Sequence, residues 1–265
     1  MKKAFSKIYL ALVYLFLYAP IIVLIVFSFN DSKSKSHFTG FSFKWYIELF
    51  EDELIMTSLF NTLILALVSS VIATLIGTMA AIGIYSMKKR SRNVIMSVTN
   101  LPMVNPEVVT GISMMLLFVF ISSLFDIQQG FYSVLIAHIT FNLPYVILNV
   151  LPKLWQVNNN IFEAALDLGC TPRQAFFKVI IPEIMPGIFS GFLIAVTLSL
   201  DDFIISYFTS GSDFQTLPVT IYSMLRKQVP PSLNALSALL FVAVLIILLI
   251  SNISAIRKEK AQMRS

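Results

Sequence analysis

Charge is scarce in this sequence. Asp, Glu, Lys and Arg make up 12% of its 265 residues, about half the share of an ordinary soluble domain, too few to coat a surface facing water. Cysteine is nearly missing as well: Cys170 stands alone, which excludes an intrachain disulfide, and no paired Cys/His spacing marks a metal site. The chain has no G-x-x-x-x-G-K-[ST] loop, so it lacks the backbone cradle and the Lys that hold ATP phosphates. Neither G-x-S-x-G nor H-E-x-x-H occurs, which removes the nucleophile elbow and the zinc hydrolase. These gaps weigh against an enzyme. No span repeats another closely enough to suggest an internal duplication.

What fills the chain is apolar. Hydrophobic residues reach 57% and the mean hydropathy is +0.82, which describes an integral membrane protein to be divided into spans of about 20 residues. The net charge of +5 would invite a nucleic-acid reading in a soluble chain. Here the charges sit in short runs beside apolar segments, so the partner they point to is the lipid bilayer and not a nucleic acid.

Lys2, Lys3 and Lys7 precede the first apolar run, 8–29. A signal peptide also begins this way, but its core is about 7–15 residues; this run is longer and ends in Asn30-Asp-Ser-Lys33, so it reads as an uncleaved span. Phe38 to Glu53 is aromatic and then acidic, too polar to cross, with Trp45 and Tyr46 suited to a membrane-water interface. Five further spans are expected at 59–85, 101–125, 131–151, 187–208 and 233–253. The apolar stretch from Val94 to Phe125 would make a helix of about 48 Å against a hydrocarbon core of about 30 Å. A break at Pro102 or Pro106 leaves its first part at the interface. Ala73, Gly77 and Ala81, and again Gly187, Gly191 and Ala195, recur at four-residue intervals, a pattern that lets helices approach closely in lipid. Leu217 to Arg226 reads as an amphipathic helical turn or two. With six spans both ends share a side, and 14 of the 19 Lys and Arg lie there, so the termini are expected in the cytoplasm. The fold class is all-α: one membrane domain, 1–265, of six transmembrane helices, with short cytoplasmic helices between the fourth and fifth.

Those short helices occupy 158–182. Asn160 with Glu163 three residues later is a capping-box-like start. Gly169 is placed to close the first helix in a left-handed conformation. Thr171-Pro172 caps and opens a second, and Pro182 limits how far it continues. Phe162, Ala165, Leu166 and Gly169 share one side, Glu163 and Asp167 another. Local pattern alone fits a solvated connector equally well.

Three acids fall inside apolar spans: Glu107, Asp201 and Asp202. A carboxylate at mid-bilayer depth costs about 2.5–3.5 kcal/mol, so such residues face a cavity or a partner. From Gly187, Asp201 and Asp202 lie about 21 Å along a helix, and neighbours point about 100° apart, so one of the two is expected to face a central pathway. One reading is an ordinary helix end in the outer headgroup zone; the functional one is a cation-binding surface. His138 reads first as an interhelical hydrogen-bonding group. Trp45, Phe141, Tyr145 and Tyr222 could stack on ammonium groups, although most aromatics in such a chain are packing or belt residues.

Glu163-Ala164-Ala165, then Gly169, then Val179, Ile181 and Pro182, resemble the cytoplasmic EAA loop of ABC-transporter permeases of the binding-protein-dependent import class. The family ends its loop in Ile-x-Leu-Pro, and this sequence departs conservatively at Val179 and Ile181. The resemblance implies that Glu163, Ala164, Ala165, Gly169 and Pro182 couple the spans to a separate ATPase, into whose groove the loop docks. Pro20-Ile-Ile-Val23, Phe41 to Tyr46, Asn105 to Val108, Leu198 to Phe203 and Leu217 to Met224 are most similar to the second permease subunit of spermidine/putrescine importers. That likeness implies a paralogous permease, two ATPase subunits and an extracytoplasmic binding protein as partners, and residence in a bacterial inner membrane. It implies no cofactor on this chain, ATP being used by the partner. Asp201, Asp202, Glu107 and Tyr145 then become candidates for lining a polyamine pathway. Importers of ferric iron, thiamine and other solutes share the fold and some motifs, so another solute is the first alternative, and a passive channel or membrane enzyme the second.

Overall fold

A backbone surrounded by hydrocarbon must close its own hydrogen bonds, and in an apolar stretch of this length the helix does so residue by residue. The computed structural model describes residues 2–32, 37–126, 128–227, 230–242 and 245, and among them the secondary structure is helical apart from a single isolated antiparallel bridge, Asn30 to Phe41. The helices are α1 (Lys2–Ser28), α2 (Lys44–Glu51), α3 (Glu53–Ser86), α4 (Lys89–Val104), α5 (Glu107–Phe125), α6 (Phe131–Gln156), α7 (Asn159–Asp167), α8 (Pro172–Ala175), α9 (Ile181–Asp201), α10 (Ile204–Thr209), α11 (Leu217–Lys227) and α12 (Ser232–Val242). Five stretches, in α1, α3, α5, α6 and the run Pro172–Asp201, are long and apolar enough to cross a membrane. The expected sixth span, 233–253, is represented by apolar α12; the remainder, and the basic tail, lie outside the described residues.

The chain divides into two compact units, Met1–Met56 with Ile221–Ser265, and Thr57–Thr220. In the first, the loop after α1 is fastened to α2. The Trp45 indole N–H donates to the Asn30 carbonyl, the Asn30 amide bonds His37 O at 2.8 Å and accepts from Thr39 N at 2.9 Å, and Ser28 shares a 2.7 Å hydroxyl contact with Tyr46. Phe29 stacks on Phe41 and meets Phe43 edge-on. Trp45 is therefore a buried anchor of this loop. Ile47 and Phe50, on the other side of α2, are exposed.

In the second unit the two small-residue stripes converge on one helix. A β-carbon at Gly77 of α3 would lie 2.7 Å from Val146 Cγ1, and one at Gly191 of α9 would lie 3.3 Å from Val146 Cα. Gly187 presses on α6 one turn further on, where a β-carbon would come within 2.9 Å of Asn149 O. Ala73, Ala81 and Ala195 are fully buried along the same stripes. α6 is thus the central post, with α3 and α9 against it, and Ile84, Val150, Leu151 and Ile184 fill the core around it.

The structure corrects three boundaries. The third apolar stretch breaks at Asn105-Pro106 and not at Pro102: Pro102 lies within α4, while Asn105 and Pro106 are extended, which shifts the start of this span from 101 to Glu107. The fifth span starts earlier and ends sooner than 187–208, because Asp202 adopts ψ 119° and separates α9 from α10. Pro182 does not end its helix. A π turn, Phe176–Ile180, joins α8 to α9, and Ile181 N–H reaches back to Phe176 O. The extra residue widens the turn where a proline ring would otherwise clash with the carbonyl four residues back, that of Lys178.

Candidate functional site

The hairpin between α6 and α9 is held by its caps. The Asn158 side chain, not that of Asn160, accepts the N–H that opens α7, from Asn160 at 3.0 Å. The expected Asn160–Glu163 capping box is therefore displaced by two residues: Asn158 is the one in extended conformation, and a cap must stand outside the helix. At the other end Cys170 N donates to Ala165 O at 3.0 Å and Gly169 N to Leu166 O at 2.9 Å, with Gly169 at φ +87°. That pairing is the Schellman closure, and it requires the left-handed residue. Thr171 and Gln174 then cap α8 reciprocally, at 3.0 and 3.3 Å.

The faces divide as the periodicity indicates except at Gly169, which was expected on the inward side and is exposed. Ala165 is buried and Phe162 and Leu166 half-buried, whereas Glu163, Ala164, Asp167 and Gly169 are exposed. Ile161, Leu168 and Phe177 are exposed as well, so the outward face of the hairpin is apolar with acids among it. Glu163 also stands at the edge of a 320 Å³ cavity bounded by Tyr85, Leu154, Phe162, Phe176 and Ile180. Pro182 is exposed on the first turn of α9.

The four candidate pathway residues fall into separate settings. Asp201, the last residue of α9, is exposed. Asp202 is turned inward, its side chain 6% exposed, with Oδ2 3.3 Å from His138 Nε2. Its carboxylate also accepts Ser206 N at 2.8 Å and Ile205 N at 3.3 Å, which makes it the cap of α10. His138 in turn bonds Ser199 through Nδ1 at 2.5 Å and Ser206 through Nε2 at 3.0 Å. Ser199 reaches Ser69 of α3 at 3.0 Å. The imidazole is thus an interhelical hydrogen-bonding group, as expected, and it ties together α3, α6, α9 and α10. Ser69, Ser199 and Ser206 escaped the sequence reading; the available signal was that small hydroxyl residues in spans serve as interhelical bonding groups.

Glu107 opens α5 and is exposed. Tyr145 is half-buried, its ring 5.6 Å from that of Phe141. A 630 Å³ groove between α4 and α5 is lined by Leu101, Pro102, Val104, Asn105, Thr110 and Ser113 among others, and Glu107 is not part of its lining. Trp45 and Phe141 are buried and serve packing, and the exposed Tyr222 ring has the chain's own Arg226 guanidinium 5.7 Å from its centre. Among the described residues no group of His, Cys, Asp and Glu could hold a metal ion.

Known proteins extend this picture. The chain is 38% identical over 258 residues to the putrescine transport system permease protein PotI of Escherichia coli strain K12, covering 96% of this chain and 92% of that one. It is 36% identical over 252 residues to the spermidine/putrescine transport system permease protein PotC of the same strain, covering 95% and 94%. Its fold matches a chain in the crystal structure of a bacterial alginate ABC transporter in complex with an alginate pentasaccharide-bound periplasmic protein, with a TM-score of 0.68 at 17% identity, over 95% of this chain and 93% of that one. The sequence profile described as "binding-protein-dependent transport system inner membrane component" matches residues 73–257, a range that contains α6, the capped hairpin and the Asp202 break. Helices long and apolar enough to cross a membrane, the capped hairpin between α6 and α9 and full-length likeness to permeases agree, and this chain belongs to the family of binding-protein-dependent transport system inner membrane components.

Proposed function

We propose that the protein is the membrane permease subunit of an ATP-driven importer that carries polyamines, putrescine or spermidine, into the cytoplasm. The observation that carries this reading is the likeness to PotI and PotC over nearly the whole of all three chains. The chain acts as a transport subunit and not as an enzyme; ATP is hydrolysed on a separate chain, and this one binds no cofactor. It spans the inner membrane six times with both termini in the cytoplasm, a topology supported by the five described apolar stretches, by α12 and by the basic runs. A paralogous permease, two ATPase subunits and an extracytoplasmic binding protein complete the assembly.

The outward face of α7, with Glu163, Ala164 and the closing Gly169, meets the ATPase; Ala165 anchors that helix to the permease core, and Pro182 and the π turn connect it to α9. Inward and outward states shift in population only as far as ATP and the loaded binding protein differ in affinity for them. Asp201, Glu107 and Tyr145 line the cargo path: exposed carboxylates and a phenol suit a chain of ammonium groups.

The test is uptake of labelled putrescine and spermidine by the assembled complex in proteoliposomes, with the binding protein outside and ATP inside. Saturable uptake that stops when the ATPase subunits are inactivated supports the reading. Flux without ATP, or uptake abolished by an excess of ferric iron or thiamine but not of unlabelled polyamine, overturns it.

A further inference from the structure

The two neighbouring carboxylates at the α9–α10 break differ in kind, and the difference lies in where the backbone turns. At ψ 119° Asp202 leaves the helix, so its side chain points back into the helix packing while that of Asp201, one residue earlier, stays exposed. Among the described residues the Asp202 carboxylate is met from within the fold: by the N–H groups of Ile205 and Ser206, by the Ser206 hydroxyl and by the imidazole of His138. These groups, on a carboxylate already turned inward, leave little of it for an ammonium arriving from outside. Among the described residues Asp201 has no such set: it is exposed at the end of α9.

We infer that Asp202 and His138 are positioning residues for cargo transfer: together they hold the α9–α10 break in the geometry that presents Asp201 to the polyamine, and Asp202 itself does not touch the cargo. The lever is short. His138 belongs to the central helix, which is clamped between the Gly77 and Gly191 contacts, so the imidazole is a fixed point. Ser199, on the last turn of α9, is bonded to one of its nitrogens, and Ser206, on α10, to the other. The break is therefore pinned on both sides, and Asp201 lies within the pinned segment. α10 is held independently at its far end, where Thr209 O accepts from Ser133 at 2.7 Å, and it rests on α5 at Gly111, where a β-carbon would meet Phe208 at 2.9 Å. Loss of the imidazole thus unpins the α9 side of the break, the side that carries Asp201, and loss of the Asp202 carboxylate removes a contact that holds the imidazole in place.

This inference rests on the polyamine reading proposed above, and a double-mutant cycle separates the two. In the reconstituted complex, uptake per ATP hydrolysed is measured for Asp201→Asn, for Asp202→Asn and for the double variant. Asn at 202 keeps an acceptor for the Ser206 N–H, so the α10 cap survives and the protein assembles. Asp201→Asn is expected to lower uptake per ATP by about tenfold, as befits a lost contact to a charged group. Asp202→Asn is expected to lower it less, and to add nothing in the Asp201→Asn background, because a residue that acts through another has no effect once that other is gone. Losses that multiply overturn the positioning role and make Asp202 a second cargo ligand. Unchanged uptake in Asp201→Asn overturns the pathway assignment itself.

A second measurement reads position directly. In a Cys170→Ser background, the thiol introduced by Asp201→Cys is labelled with a cationic thiosulfonate reagent. Adding His138→Leu, buried on another helix, is expected to change the labelling rate severalfold while ATPase-subunit assembly is kept. An unchanged rate overturns the inference.

Discussion

Gly77 of α3 and Val146 of α6 approach so closely that a β-carbon at position 77 would lie 2.7 Å from one valine methyl and 2.8 Å from its Cβ. A β-branched side chain on a buried helix has one preferred rotamer and little room to yield. Gly77→Ala should therefore destabilise the protein by about 1–3 kcal/mol through overpacking, despite the better helix propensity of alanine. Gly83, in the same helix, has nothing within 4 Å of its virtual β-carbon, and Gly83→Ala should be neutral or stabilising by up to about 1 kcal/mol. Thermal unfolding in detergent checks the pair; equal shifts for both would dismiss the close approach.

Gly169 makes a different demand. Its φ of +87° and its N–H bond to Leu166 O are both lost to proline. Gly169→Pro should insert and assemble yet import polyamine poorly, with ATP hydrolysis persisting. Gly169→Asn, which tolerates the left-handed conformation, should keep most activity. Normal uptake by the proline variant would sink the coupling role of this hairpin.

The displaced cap gives a contrast within two residues. Asn158→Ala should weaken the first turn of α7 by about 1 kcal/mol, while Asn160→Ala, inside the helix, should cost little. Amide hydrogen exchange at 160–163 reads the difference, and faster exchange in the Asn160 variant alone would restore the earlier register.

The loop after α1 hangs on Trp45. Trp45→Phe keeps the ring but leaves the Asn30 carbonyl without its indole donor, which should cost about 1–3 kcal/mol. Limited proteolysis between α1 and α2 would show the loosening; unchanged cleavage would mean that the aromatic contacts of Phe29 and Tyr46 suffice.

Most of the helices were legible because apolar length and glycine spacing are direct consequences of life in lipid. Gly77, Gly187 and Gly191 announced close packing before any partner was known, although only the structure shows that two of the three press on the same valine. The hairpin was legible from Gly169 and Thr171-Pro172, since caps are local chemistry. Boundaries that depend on backbone geometry were less so. Asn105-Pro106 and Pro102 offered the same kind of break, and the choice fell to the pair whose first residue is extended. Pro182 looked like a terminator because a π turn leaves no signature in composition. The unequal roles of Asp201 and Asp202 could not be read from two adjacent identical letters, because they arise from a turn in the chain between the side chains and from a histidine 64 positions upstream.

The π turn at Phe176–Ile180 also acts as a vernier. One residue more than a regular turn advances everything after it by about 100° around the axis, so the direction in which the α7–α8 hairpin faces is decoupled from the direction in which the Gly187–Gly191–Ala195 stripe faces. Removing a single residue there would leave both motifs intact in sequence and rotate the stripe away from α6. The two halves of the machine, the handle and the hinge face, are thus keyed to each other by one surplus amino acid.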